Sequence, residues 1–191
     1  MIHIIAQPGT NYYTWQVETV INSILENCPG NKIHIVNSEV PNDKLRWKLL
    51  EIKYKNVEFF YYKDTRKNPY YISSIRPHIL QKHFEANKYL TDEVIFYHDS
   101  DIVFTKPFPT DMFINDDIWY LSDTISYIGF DYIKSKGDDI LELMTNICDI
   151  SIEVIKDNQN NSGGAQYIMK NVDSEYWGDV YMDSENLFYE V

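Results

Sequence analysis

The chain has 191 residues, 44% hydrophobic and 15% aromatic, enough for one domain with a true core and too apolar for a disordered chain. Its formal net charge of −12 excludes DNA or RNA as the main ligand, because nothing supplies a basic track; a small phosphorylated ligand remains compatible where a metal screens it. No run approaches the roughly 20 apolar residues that cross a bilayer, and the amino terminus lacks the positive start of a signal peptide. Cys28 and Cys148 have no metal-ligand spacing and read as core thiols of a reduced protein. The expectation is a soluble, cytoplasmic chain.

Ile2–Ile5 predicts a short strand, closed by the turn signal "QPGTN". Thr14 is placed to cap a helix whose Trp15, Val20, Ile21, Ile24 and Leu25 share one face, and Gly30 stops it. "KIHIV" (32–36) predicts a second strand. Pro41 and Asn42 open a second helix, with Leu45, Leu49 and Ile52 on one side. "VEFFYY" (57–62) predicts a third strand, residues 73–90 a helix with Pro77 in its first turn, and "VIFYH" (94–98) a fourth strand. Strand and helix alternate up to residue 98, which predicts a mostly parallel α/β sheet with helices on both faces.

The second half alternates less cleanly. "DIWYLS" (117–122) predicts a strand, and residues 137–157 a helix whose end is ambiguous, because Ile150, Ile152 and Val154 also alternate. "NNSGGAQYIMKN" (160–171) sets two glycines before a strand-like "AQYIM". Trp177, Val180, Tyr181, Leu187 and Phe188 recur at near-helical spacing. No internal repeat or linker is visible.

One segment carries chemistry. "VIFYHDSDIVFTKP" (94–107) puts Asp99 and Asp101 between two apolar stretches. Like charges this close repel, and a buried carboxylate is costly unless paired. A divalent cation answers both problems: Mg²⁺ or Mn²⁺ takes one or two carboxylates and fills its remaining positions with water and substrate phosphate. The alternative is a solvated acidic turn. Ligands of open parallel sheets bind beyond the carboxyl ends of the strands, which is where Asp99 and Asp101 fall.

The segment "VIFYHDSDIVFTKPF" resembles the DxD segment of metal-dependent glycosyltransferases with the GT-A fold. "NNSGGAQYIMKN" resembles the small-residue strand that such enzymes place beside the donor sugar, and "YYISSIRPHILQKHF" sits where they present a basic residue to the donor. The resemblance implies a Rossmann-like GT-A sheet and a single domain over 1–191, truncated or the first domain of a longer chain. It implies transfer of a sugar from a nucleoside-diphosphate sugar, a UDP-sugar in first place, to a glycan or protein hydroxyl, with Mn²⁺ or Mg²⁺. Asp101 would be the direct metal ligand; Asp99 would reach the metal or the ribose. Gln7, Pro8, Gly9, Thr10 and Asp64 would line the nucleotide, with Arg66 near phosphate. Arg76, Ser162, Gly163, Gly164 and Gln166 would face the donor sugar. If the reaction inverts, Asp179 is the first choice of base over Glu175 and Asp183, because "YWGDV" sets it beside Trp177 as a stacking surface. The Asn-, Ile-, Lys- and Tyr-rich composition also fits a transferase domain of a large DNA virus, acting in host cytoplasm.

Three rivals share features. A sugar-1-phosphate nucleotidyltransferase should carry a Gly-rich, Arg-containing loop after the first strand, where "AQPGTNYY" has one glycine and no arginine. A haloacid-type phosphatase uses its DxD early in the chain. A non-catalytic carbohydrate-binding domain is compatible with the 16 tyrosines.

Overall fold

Strand runs without polar alternation pack under helices on both faces. In the computed structural model, which describes residues 1–40 and 43–190, four such runs pair in parallel. They are β1 (Ile2–Pro8), β2 (Lys32–Ser38), β3 (Glu58–Tyr62) and β4 (Ile95–Tyr97). β5 (Tyr120–Asp123) and β6 (Gly163–Met169) complete a sheet of order β3-β2-β1-β4-β6-β5. β6 runs antiparallel to both β4 and β5. The sheet is therefore mixed and mostly parallel, as the alternation predicts.

The helices are α1 (Thr14–Asn27), α2 (Lys44–Lys53), α3 (Ile75–Ala86), the short α4 (Ile125–Ile128) and α5 (Phe130–Lys134), then α6 (Asp138–Ile147), α7 (Ile152–Asp157) and α8 (Ser174–Glu190). Pleat alternation splits the core in two. Ile2, Ile4, Ala6 and Val36 face α3 and α8, meeting Ile79, Leu80, Phe84 and Trp177. Ile5, Ile33 and Ile35 face α1 and α2, meeting Val20, Ile24, Trp47 and Leu50.

Several local expectations are corrected. Trp15 and Leu25 are exposed, and the buried stripe of α1 is Val17, Val20, Ile21 and Ile24. Thr14 does not cap α1; it is its first residue, and its hydroxyl donates to the Asn11 carbonyl at 2.7 Å. In α2 the predicted stripe Leu45, Leu49, Ile52 points to solvent, and Trp47 and Leu50 are buried instead. Trp47 wins because its indole N–H donates to the Gly9 carbonyl at 2.8 Å, so the largest apolar side chain also satisfies a polar group. Pro41 and Asn42 lie outside the described residues. The helix expected over 137–157 breaks between α6 and α7, where Asp149 takes a left-handed φ of 49°. The two glycines of "SGGAQ" lie inside β6 rather than before it.

Gly163 shows why. A Cβ there would sit 2.4 Å from the Leu121 Cβ and 2.9 Å from the Ser122 carbonyl oxygen. The glycine lets β5 close on β6 across the register shift between Leu121 and Ser122. Gly163→Ala is expected to lower stability by about 2 kcal/mol, the scale of overpacking. Thermal unfolding reads this directly, and an unchanged Tm would show that β5 yields without cost.

Candidate active site

The order β2-β1-β4 sends the chain from β1 to one side first and to the other later, so the crevice between the carboxyl ends of β1 and β4 is a topological switch point. Asp99, Ser100 and Asp101 occupy it, immediately after β4. Three anchors fix this turn. The His98 ring is fully buried; its Nδ1 lies 2.9 Å from the Asp99 carbonyl and donates to it, while Nε2 faces His3 Nδ1 at 3.1 Å. The buried Ser100 hydroxyl donates to Gln16 Oε1 on α1 at 2.8 Å. Arg76 Nη1, in the first turn of α3, donates to Asp99 Oδ1 at 2.7 Å, with both side chains about one-third exposed. Pinning the middle serine inward leaves the aspartates on either side turned outward, and Asp101 is exposed.

Burial pushes the Asp99 carboxyl up from its ordinary range; Arg76 opposes that, and Asp101 adds to it. A cation would relieve the same repulsion. Two carboxylates are the donor set that Mg²⁺ or Mn²⁺ takes from protein when a diphosphate supplies the rest. Among the described residues no third His, Cys, Asp or Glu joins them in a metal-holding group. The pair therefore fits a hard cation shared with a phosphorylated ligand better than a closed structural site. His98 faces His3 and is spent inside the fold.

Two concave regions flank the diacid. On the β1–β2 side a cavity of about 230 Å³ is lined by Gly9, Ser38, Glu39, Trp47, Glu51 and Tyr61. Gly9 is obligatory there, since a Cβ would lie 2.1 Å from the Ser38 carbonyl oxygen. On the other side a cleft of about 240 Å³ runs between α3, β4, β6 and α8, with Arg76, Tyr97, Tyr167, Tyr176 and Trp177 in its walls. Arg76 belongs both to this cleft and to the Asp99 pair.

The predicted residues divide accordingly. Asp99, Asp101 and Arg76 come together. Gly9 lines the β1–β2 cavity, whereas Gln7 is fully buried beneath and donates to the Asn37 side chain. Pro8 and Thr10 are half-buried beside it. Asp64 is held by Arg66 through a two-pronged contact of 3.1 and 3.0 Å, which keeps its carboxyl below the ordinary range. The Arg66 side chain is buried and also donates to Ser74 Oγ at 2.8 Å, and Ser74 donates to Glu185 of α8. Asp64 and Arg66 thus brace the loop before α3 against α8; the Arg66 side chain is buried in that role, while Asp64 stays 40% exposed.

Ser162 donates to the Asn158 carbonyl at 3.3 Å. A Cβ on Gly164 would touch Thr124, Tyr167 and Ile128, so this glycine makes room for α4. Gln166 lies with Phe96, Phe108 and Ile168 on the opposite face of β6 from Tyr167. It is not brought to Asp99. Extending the pairing of Tyr97 with Tyr167 puts Ala165 level with Asp99. Ala165 is exposed with a φ of 62°, and sequence reasoning passed over it in favour of the glycines.

Trp177 is buried at 5% exposure and packs edge-on against Tyr97, so it offers no open stacking face. Asp179 lies about 200° further around α8. It is exposed, and its charge is felt by Asp183. No carboxylate lines the aromatic cleft among the described residues, so the structure does not bring Asp179 to it. The cleft tyrosines were missed because a run such as "IFYHD" reads as strand filling.

No family model and no curated protein sequence matches the chain. Solved structures do. The bifunctional glycosyltransferase WbbM superposes over 98% of the chain with a TM-score of 0.54 at 14% identity. The galactosyltransferase LgtC, solved with donor and acceptor sugar analogues, superposes over 100% with a TM-score of 0.55 at 12% identity. The fold is that of the GT-A glycosyltransferases. The chain spans 34% of WbbM and 69% of LgtC. Within the GT-A sheet the diacid turn, the β1–β2 cavity and the aromatic cleft all open at the carboxyl edge of the parallel strands. No helix of the described residues is long and apolar enough to cross a membrane.

Proposed function

We propose that this domain transfers a sugar from a nucleoside-diphosphate sugar to a hydroxyl acceptor, with Mn²⁺ or Mg²⁺ held by Asp99 and Asp101. The observation that carries the reading is the order of three features along one edge of the sheet: cavity, diacid, aromatic cleft. Neighbouring strands lie about 4.8 Å apart. The cavity at β2 is two strands from β4, a separation of about 10 Å, which suits a nucleoside whose diphosphate ends at Asp99 and Asp101. The cleft beyond Arg76 then receives the sugar.

Each residue has a task in that arrangement. Gly9 and Trp47 shape the nucleoside cavity, and Glu39 and Glu51 offer acceptors to base or ribose donors. Arg76 orients Asp99 and stands ready to meet a phosphate or sugar oxygen. Tyr97, Tyr167 and Tyr176 exclude water and present aromatic faces and hydroxyls to a pyranose ring. When bound, the metal offsets the charge that grows on the leaving diphosphate. A UDP-sugar is the first donor to test, and the acceptor is a glycan or protein hydroxyl.

The test is release of the nucleoside diphosphate from a panel of UDP- and GDP-sugars, with Mn²⁺ and with EDTA. Metal-dependent release supports the reading. A chain that binds free sugars but no nucleotide, with or without metal, is a carbohydrate-binding module instead. Arg76→Ala should lose at least tenfold in donor affinity, because it frees Asp99 to move as well as removing a donor; equal affinity in titration calorimetry would take Arg76 out of the site.

A further inference from the structure

Helix α2 reads "KLRWKLLEIK" and carries two apolar stripes. Successive residues turn by about 100°. Trp47 and Leu50 point into the core and are 2% and 6% exposed. Leu45, Leu49 and Ile52 fall within about 60° of one another, on the opposite side of the helix. They are 75%, 58% and 63% exposed. The inner stripe accounts for folding. The outer one contributes nothing to the core, and a contiguous apolar face on a soluble surface marks an interaction site.

The surroundings say what that face meets. Arg46 and Lys53 project along one flank of the outer stripe, Lys44 and Lys48 along the other. Glu51 is the single acid of the helix. This cationic frame stands on a chain of net charge −12. Beyond the Arg46–Lys53 flank, a shallow groove leads to Trp15 of α1, 58% exposed and edge-on to Tyr12, which is 62% exposed. Lys53 shares its charge with Glu18 at 2.5 Å. An apolar stripe framed by lysine and arginine with flanking Trp and Tyr is the composition of a helix lying in a lipid interface. There the cations snorkel to headgroup phosphates and the aromatic rings sit at headgroup level. At ten residues α2 is about 15 Å long and cannot span the bilayer.

We propose that α2, with Trp15 and Tyr12, docks this domain flat on an anionic lipid surface. The acidic remainder of the chain does not forbid this, because charges more than about 10 Å away are screened at physiological salt, while the α2 cations are in contact. The face adjoins the β1–β2 cavity, which Lys44 and Lys48 also line. The proposal stands independently of sugar transfer.

Flotation of the whole chain with phosphatidylcholine vesicles, with and without phosphatidylglycerol, tests it. The wild type should float with the anionic vesicles, and added salt should release it. Leu45→Gln, Leu49→Gln and Ile52→Gln combined should weaken vesicle binding at least tenfold with an unchanged Tm, since all three side chains are outside the core. Arg46→Gln should weaken it about fivefold, the value of one cation near such a surface. Wild type that floats with neither vesicle, or a triple variant that floats like wild type, overturns the proposal. So does a concentration-dependent dimer, seen by sedimentation without lipid and abolished in the triple variant; that result assigns the face to a second copy of the chain.

Discussion

Asp101→Asn is expected to abolish metal-dependent nucleotide binding while leaving the unliganded fold intact. With UDP and Mn²⁺ at 100 times the dissociation constant, the wild type should gain about 2.7 kcal/mol. For a domain of this length that is a rise in Tm of roughly 5–10 °C. UDP without metal should give almost none of it, because the bare diphosphate meets two carboxylates on a chain of net charge −12. Asn keeps the shape of Asp101 and removes the charge that would hold the cation. The choice of Asp101 over Asp99 matters. Asp99 is tied to Arg76 at 2.7 Å, so Asp99→Asn would also loosen α3 from the diacid turn and confuse folding with binding. Asp101 is exposed, so its substitution has no such side effect. A full metal-dependent shift in Asp101→Asn would remove the diacid from the binding of nucleotide.

The legible part of this molecule was the part written in local pattern. β1 and β2 are runs rich in buried Ile and Val, β3 and β4 are shorter aromatic-rich runs, and helices separate all four; that pattern admits few topologies. The position of Asp99 and Asp101 followed from it. What was illegible depended on partners far along the chain. Nothing within "KLRWKLLEIK" says that Trp47, rather than Leu45, Leu49 and Ile52, turns inward; the Gly9 carbonyl that takes its N–H decides. The fate of Asp64 was hidden for the same reason. Its charge is absorbed by Arg66, whose own position depends on Ser74 and, through it, Glu185. The glycines of β6 looked like room for a ligand, and the room is filled by Leu121, Thr124 and Ile128. Small residues signal close approach; they do not say of what.

The histidines were also illegible, and they carry the second large effect. His3, His83 and His98 are fully buried. Burial holds His3 down at about 2, His83 at about 3 and His98 at about 4. A neighbouring imidazole adds to the effect at His3, from His98, and at His83, from His34. His34 is lowered as well; burial outweighs the pull of Glu58, 3.4 Å away. Burial keeps each ring neutral in the fold, and His3 Nδ1 faces His98 Nε2 and His34 Nδ1 faces His83 Nε2, both at 3.1 Å, so in each pair the accepting ring has to be neutral. In the unfolded chain the same rings titrate near 6.5. Below that pH the unfolded state binds protons that the folded state refuses, so stability falls as pH falls. The contribution is intact above about pH 6.5 and is lost progressively from there down, towards about pH 4 for His98 and further for His83 and His3. Each ring gives a slope of about 1.4 kcal/mol per pH unit, and three give on the order of 4. Set against a total of about 5–15 kcal/mol, that slope places acid unfolding between about pH 5 and about pH 3, nearer the upper end the smaller the total. Urea unfolding at intervals from pH 7 to 5 measures the slope. His83→Gln keeps a polar group and removes one proton site, so it should flatten the slope by about a third whatever it does to stability at pH 7. A wild-type free energy that stays level between pH 6.5 and 5, or an unchanged slope in His83→Gln, would mean that acid unfolding is not driven by these buried rings.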